Sequence, residues 1–118
     1  MEKNVLLDKS KAYAVRIIRL YRYMAEAKRE FILSKQLLRS GTSVGANCRE
    51  AYRAQSTADF TAKLGIALKE AEESAYWLEL LSETEYITTE QFNSLYADND
   101  ELIRLLVSII KTTRSHNS

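Results

Sequence analysis

The side chains best spaced for chemistry are polar pairs three residues apart, Asn47 with Glu50 and Glu70 with Glu73, and that spacing puts each pair on one face of a helix. Two glutamates projecting into a helical bundle can hold a di-metal centre. Such centres also need Glu-x-x-His pairs, and the one histidine, His116, lies close to the end of the chain. The same scarcity removes Ser-His-Asp and Cys-His nucleophilic catalysis, and Cys48, the one cysteine, has no second soft ligand with which to bind zinc. General acid–base work by Glu70 and Glu73 is all that an enzymatic reading retains, and it ranks third here. No catalytic residue, metal or other cofactor is expected. A carboxylate on an inward face persists only when hydrogen-bonded or ion-paired, so Asn47, Glu50, Glu70 and Glu73 read as a structural polar network. Its expected partners are Asn47 itself, Arg39, Arg49 or an arginine of another subunit.

"GTSVGAN", residues 41–47, could suggest a phosphate cradle, but a P-loop needs G-x-x-x-x-G-K-[ST] after a strand. The spacing is wrong and the lysine is missing. Gly41 and Gly45, four apart inside a helix, each cost about 1 kcal/mol relative to alanine, a cost best retained where another backbone must come close. They are expected to pack helices, with bulky side chains of the first helix filling the groove they leave.

The remaining candidates are cationic: Arg16 and Arg19, Lys28, Arg29 and Lys35 around the first turn, then Arg39, Arg49, Arg53 and Lys63. Tyr13, Tyr21, Tyr23 and Tyr52 are interleaved with them, a mixture suited to phosphate contact and base stacking. Net charge is only +1, but residues 1–69 hold 14 of the 17 Lys and Arg and 6 of the 16 Asp and Glu, a net of +8. Residues 70–118 hold 3 and 10, a net of −7. That asymmetry fits an anion-binding surface, or two halves that attract each other within a bundle or between subunits.

The elements that must position these residues are helical. Tyr13, Ile17, Leu20, Tyr21 and Met24 share one face of a first helix over about residues 4–27. The polar run 26–30 makes a turn, and a second helix over 32–54 carries Leu37, Leu38, Gly41, Val44, Gly45, Cys48, Ala51 and Tyr52 in one stripe. Ser56 or Thr57 caps a third helix over 57–83, with Asp59 in its first turn. Thr88 and Gln91 form a capping box for a fourth over 89–113, and Ile87 can staple onto Phe92. Residues 114–118 read as a frayed tail. Four helices of roughly 25 residues, each about 37 Å long and joined by short turns, predict an all-α, antiparallel up-and-down four-helix bundle as one domain.

A chain of 118 residues can bury a sufficient core without a disulfide, and none can form within it. No signal peptide or membrane-spanning run is visible, since "LIRLLVSII" is broken by Arg104 and Ser108. A reduced, cytoplasmic protein with no membrane partner is expected.

"QLLRSGTSVGANCREAYRAQSTADF", residues 36–60, and "KLGIALKEAEESAYWLELL", residues 63–81, resemble the 23S rRNA intervening-sequence proteins, also called four helix bundle proteins. The most specific parts are Q-L-x-R-S-x-x-S-V-x-x-N-x-x-E-A, from Gln36 to Ala51, and the D-F…K-E-A…Y-W-L series of the third helix. Cys48 departs from the branched aliphatic common at its position and remains a small apolar residue. The resemblance implies a homo-pentameric ring with no established enzymatic activity. A similar protein, the accessory variability determinant of diversity-generating retroelements, is a basic pentamer that binds a reverse transcriptase and nucleic acid. Arg39, Asn47, Glu50, Glu70 and Trp77 match motif positions and so read as bundle and subunit contacts.

Residues and resemblance together predict a non-enzymatic homo-oligomer that binds RNA or DNA through Arg16, Arg19, Lys28, Arg29, Lys35, Arg39, Arg49, Arg53 and Lys63. The alternative is an adaptor that docks an unidentified acidic or apolar protein.

Overall fold

Each helix begins where a side chain can accept from the amides its first turn leaves free. The computed structural model describes residues 3–116, and these contain four helices: α1 Val5–Tyr23, α2 Leu33–Ala51, α3 Thr57–Glu83 and α4 Thr89–His116. Asn4 accepts from the Leu7 amide at 3.0 Å to open α1, and Ser56 accepts from the Asp59 amide at 3.0 Å to open α3. At α4 the capping box is reciprocal: the Gln91 amide donates to the Thr88 hydroxyl at 3.1 Å, and the Thr88 amide to the Gln91 side chain at 2.8 Å. No strand occurs among the described residues.

The start of α2 is different. Its acceptor is Glu30, three residues before the helix, whose carboxylate receives the amides of Ile32, Leu33 and Ser34 at 2.8–3.0 Å while Ser34 donates its hydroxyl back to the Glu30 carbonyl at 2.9 Å. Just before it, α1 does not stop at a polar turn. It widens into one turn of π-helix, Met24–Lys28, and Arg29 then reverses the chain in the left-handed region at φ 55°. Glu85 does the same after α3 at φ 67°, with the Tyr86 amide closing back onto the Leu81 carbonyl at 2.9 Å. Neither reversal uses glycine.

Two ends differ from expectation. Beyond Ala51 the chain tightens into three-residue bonds, Arg53 to Glu50 and Ala54 to Ala51, both 3.0 Å, so α2 ends before Tyr52. Conversely, Arg114, Ser115 and His116 continue α4, and the last two residues of the expected tail lie outside the described residues.

Side-chain contacts establish the topology. Gly41 faces Ile17 and Gly45 faces Ser10, so α1 and α2 are antiparallel. Ser40 meets Ser74 and Glu50 meets Lys63 across α2 and α3. Asn99 reaches Ala71 and Tyr96 reaches Glu79 across α3 and α4, and Lys9 meets Glu101 while Arg16 meets Asp98 to close α4 against α1. In each pair one number rises as the other falls, which makes an up-and-down bundle with extents of 48 × 24 × 22 Å.

The core runs the length of the bundle through Leu6, Tyr13, Ile17 and Met24 of the first segment, Leu37, Val44 and Cys48 of α2, Leu64, Ala71 and Leu78 of α3, and Leu95, Leu102 and Leu106 of α4. It is not wholly apolar. Ser40 and Ser74 share a hydrogen bond at 2.8 Å inside it, and Asn99, on the Leu95–Leu102 stripe, donates to the Ala71 carbonyl at 2.9 Å. Tyr52, expected on the α2 stripe, is exposed and packs edge-on against Phe60 at 5.2 Å. No helix among the described residues is long and apolar enough to cross a membrane.

Candidate functional site

Two carboxylates of α3, Glu70 and Glu73, are held by one arginine. Arg39, on the outer side of α2, donates to Glu70 at 3.0 Å and to Glu73, and the Trp77 indole N–H donates to Glu73 at 2.9 Å one turn further along α3. The Trp77 bond chiefly holds the Glu73 carboxyl below the usual carboxylate range; burial opposes it and Arg39 adds to it. The Glu73 bond in turn raises the Arg39 guanidinium. A carboxylate so fixed in its charged form is poorly suited to pass protons near neutral pH. Asn47 and Glu50 stand outside this contact. Asn47 donates to the Ser43 carbonyl of its own helix at 2.9 Å, and Glu50 pairs with Lys63 at 3.5 Å. Among the described residues no group of three His, Cys, Asp or Glu could hold a metal ion.

Cys48 and the glycines lie where α1 and α2 touch. Burial pushes the Cys48 thiol up to about 11, which leaves no reactive thiolate. A Cβ on Gly41 would meet Ile17 at 3.0 Å, and one on Gly45 would meet the Ser10 carbonyl oxygen at 3.3 Å. Gly41 is the seat of a side chain and Gly45 the seat of a backbone.

The cations divide into spent and unspent. Arg16 bonds Asp98 at 2.5 Å and the Ser94 hydroxyl at 2.8 Å, Arg39 holds Glu70 and Glu73, and Lys63 faces Glu50. Among the described residues Arg19, Lys28, Arg29, Lys35, Arg49 and Arg53 form no ion pair, and neither do Lys11 and Arg22, which sequence reasoning passed over. Lys28 lies 6.0 Å from the Tyr23 ring. Most of the unspent cations belong to α1, α2 and the turns on either side of α2, though Lys69 of α3 and Lys111 and Arg114 of α4 also form no ion pair among the described residues. By helix, α1 carries a net +4 and its neighbour α2 +2, whereas α3 carries −4 and α4 −1 with His116 neutral. The bundle therefore has a basic side and an acidic side.

Of the four tyrosines expected to stack bases, Tyr13 is excluded, because it is 1% exposed in the core. Burial raises its phenol far above the ordinary value, and its hydroxyl lies near Ser74 without completing a hydrogen bond. Tyr23 and Tyr52 are exposed, and Tyr21 is half-buried. Glu30 was also missed as a functional group of the fold. Its signal is a glutamate four residues before Ser34 at a helix start, which its place in the polar run 26–30 obscures.

Against this geometry the relatives are informative about descent and silent about activity. A crystal structure of a protein of unknown function from the S23 ribosomal protein family, from Bacteroides thetaiotaomicron VPI-5482, is 60% identical. It superposes with a TM-score of 0.90 over 91% of this chain and 99% of that one. No curated protein matches. The family model described as 23S rRNA-intervening sequence protein matches residues 2–108, and the chain belongs to that family.

Proposed function

We propose that the protein is a non-enzymatic, cytoplasmic homo-oligomer that binds RNA or DNA through the basic side formed by α1, α2 and their connecting turn. The observation that carries this reading is the set of unspent cations there, Arg19, Lys28, Arg29, Lys35, Arg49 and Arg53 with Lys11 and Arg22. Cations without counter-charges on these two helices give them a positive potential, which attracts a polyanion and releases its counterions. Self-association has separate support. A basic side and an acidic side on one molecule are complementary head to tail, a contact that closes into a ring when the rotation between copies allows it; the pentamer implied by the resemblance is such a ring.

The test is light scattering followed by titration of labelled single- and double-stranded RNA and DNA at low and moderate salt. A ring-sized oligomer whose nucleic-acid affinity falls steeply with salt supports the reading. Absence of binding at low salt overturns its nucleic-acid half and moves the function to the adaptor reading, for which the exposed Ile66 and Tyr76 of α3 offer apolar contact.

A further inference from the structure

A groove of about 490 Å³ runs along the outside of the α1–α2 contact. Its floor is made of small residues, including Ser10 and Gly45, and it exists because nothing larger projects there. Three cations line it: Lys11 from α1, Arg49 from the last turn of α2, and Arg53 from the turn beyond. None of the three forms an ion pair among the described residues. The one acid in the lining among the described residues, Glu50, is engaged by Lys63 of α3 at 3.5 Å, which partly cancels its field in the groove. No aromatic ring of the described residues lines it.

Cations without counter-charges around a concave, small-residue floor favour a compact anion, and the absence of rings removes the stacking surface on which a base would be held. We propose that this groove is a phosphate site for the sugar-phosphate backbone of a nucleic-acid strand, seated on Lys11, Arg49 and Arg53 and indifferent to base sequence. The Glu50–Lys63 pair sets its strength. This proposal rests on the nucleic-acid reading above and narrows it, since it assigns the backbone contact to the α1–α2 groove rather than to Lys28, Arg29 and Lys35 at the other end of these helices. It also gives Gly45 a second consequence, because a larger side chain there would fill the floor.

The probes are two fluorescein-labelled single-stranded oligonucleotides of equal length and unrelated sequence, with a poly-glutamate peptide of matched charge beside them. Removing three phosphate contacts lowers the salt slope of single-strand binding by about 2. The triple variant Lys11→Ala, Arg49→Ala, Arg53→Ala is expected to lose at least about tenfold in affinity and that much slope, equally for both sequences. Glu50→Gln is expected to bind severalfold tighter than wild type, a gain that a damaged fold cannot produce, and Lys63→Met severalfold weaker. If the triple variant matches wild type while a Lys28→Ala, Arg29→Ala, Lys35→Ala triple loses binding, the groove is refuted and the nucleic-acid reading stands. If wild type binds neither oligonucleotide, that broader reading fails and this one with it. If poly-glutamate alone binds, with the same sensitivity to Lys11, Arg49 and Arg53, the groove belongs to an acidic protein and the proposal is overturned.

Discussion

Ile17 of α1 stands where a side chain at residue 41 of α2 would have to go, both of its Cγ atoms lying 3.0 Å from the Cβ that Gly41 lacks. Ile17 is buried and β-branched, so it has almost no second rotamer inside a helix and cannot step aside. Gly41→Ala should therefore lose about 1 kcal/mol of stability despite alanine's better helix propensity, and Gly41→Leu about 3 kcal/mol. Pairing Gly41→Ala with Ile17→Val in a double-mutant cycle should recover part of the loss. Strict additivity in denaturant melts would show that the two residues do not oppose each other.

Gly65 is the control for this argument, since a Cβ built there meets nothing within 4 Å. Gly65→Ala should raise stability by about 1 kcal/mol, through helix propensity alone. A lower melting temperature would place a second chain against that part of α3.

Glu30 binds three amides from an 8% exposed position, and its carboxyl is held below the ordinary value: burial works to raise it, and the amides of Ser34, Leu33 and Ile32 together outweigh burial. Glu30→Ala should cost about 2 kcal/mol, near the upper end for a helix cap. The depressed carboxyl contributes stability that is fully present above the unfolded-chain value of about 4.3 and is lost as pH falls through its lower folded value. Acid unfolding followed by circular dichroism should thus show a shallower decline for Glu30→Gln than for wild type below about pH 4. Parallel curves would remove Glu30 from the acid transition.

Trp77 is the only tryptophan, and its indole donates to Glu73. Glu73→Gln should shift its emission, and Arg39→Met should cost no more than about 1 kcal/mol, shrinking as salt is added, because Arg39 is half exposed. A loss of several kcal/mol would mean that the pair is buried against another subunit.

Tyr13 keeps a phenol hydroxyl in the core without a hydrogen bond. Tyr13→Phe removes that unpaired group at nearly constant shape and should be neutral or stabilising by up to about 1 kcal/mol. A clear loss in thermal unfolding would show that Ser74 or an internal water satisfies the hydroxyl.

The helices were legible because their signals are local. Ser56 before Asp59 and Thr88 before Gln91 announce starts within four residues, and Leu64 to Leu81 repeat at helical spacing. What was not legible depends on partners distant in sequence. Asn99 sits on an apolar stripe, and only the Ala71 carbonyl across the bundle explains it. Tyr13 fits both the apolar stripe of α1 and the base-stacking tyrosines, and its burial in the core favours the stripe. Arg16 and Lys63 look as free as Arg49 until Asp98 and Glu50 arrive beside them. The turns after α1 and α3 mislead for another reason: Arg29 and Glu85 adopt left-handed backbone without the glycine that ordinarily marks such a reversal.

With α1 and α2 positive and α3 and α4 negative, the molecule carries an electric dipole with a component across its width. A net charge of +1 gives it almost no pull towards a polyanion at long range. Within about 8 Å at physiological salt, however, the field gradient of a polyanion would exert a torque that turns the α1–α2 side inward and the α3–α4 side outward. Orientation precedes attraction in such an encounter, so neutralising a few carboxylates on α3, remote from any contact, would blunt the steering while adding net positive charge.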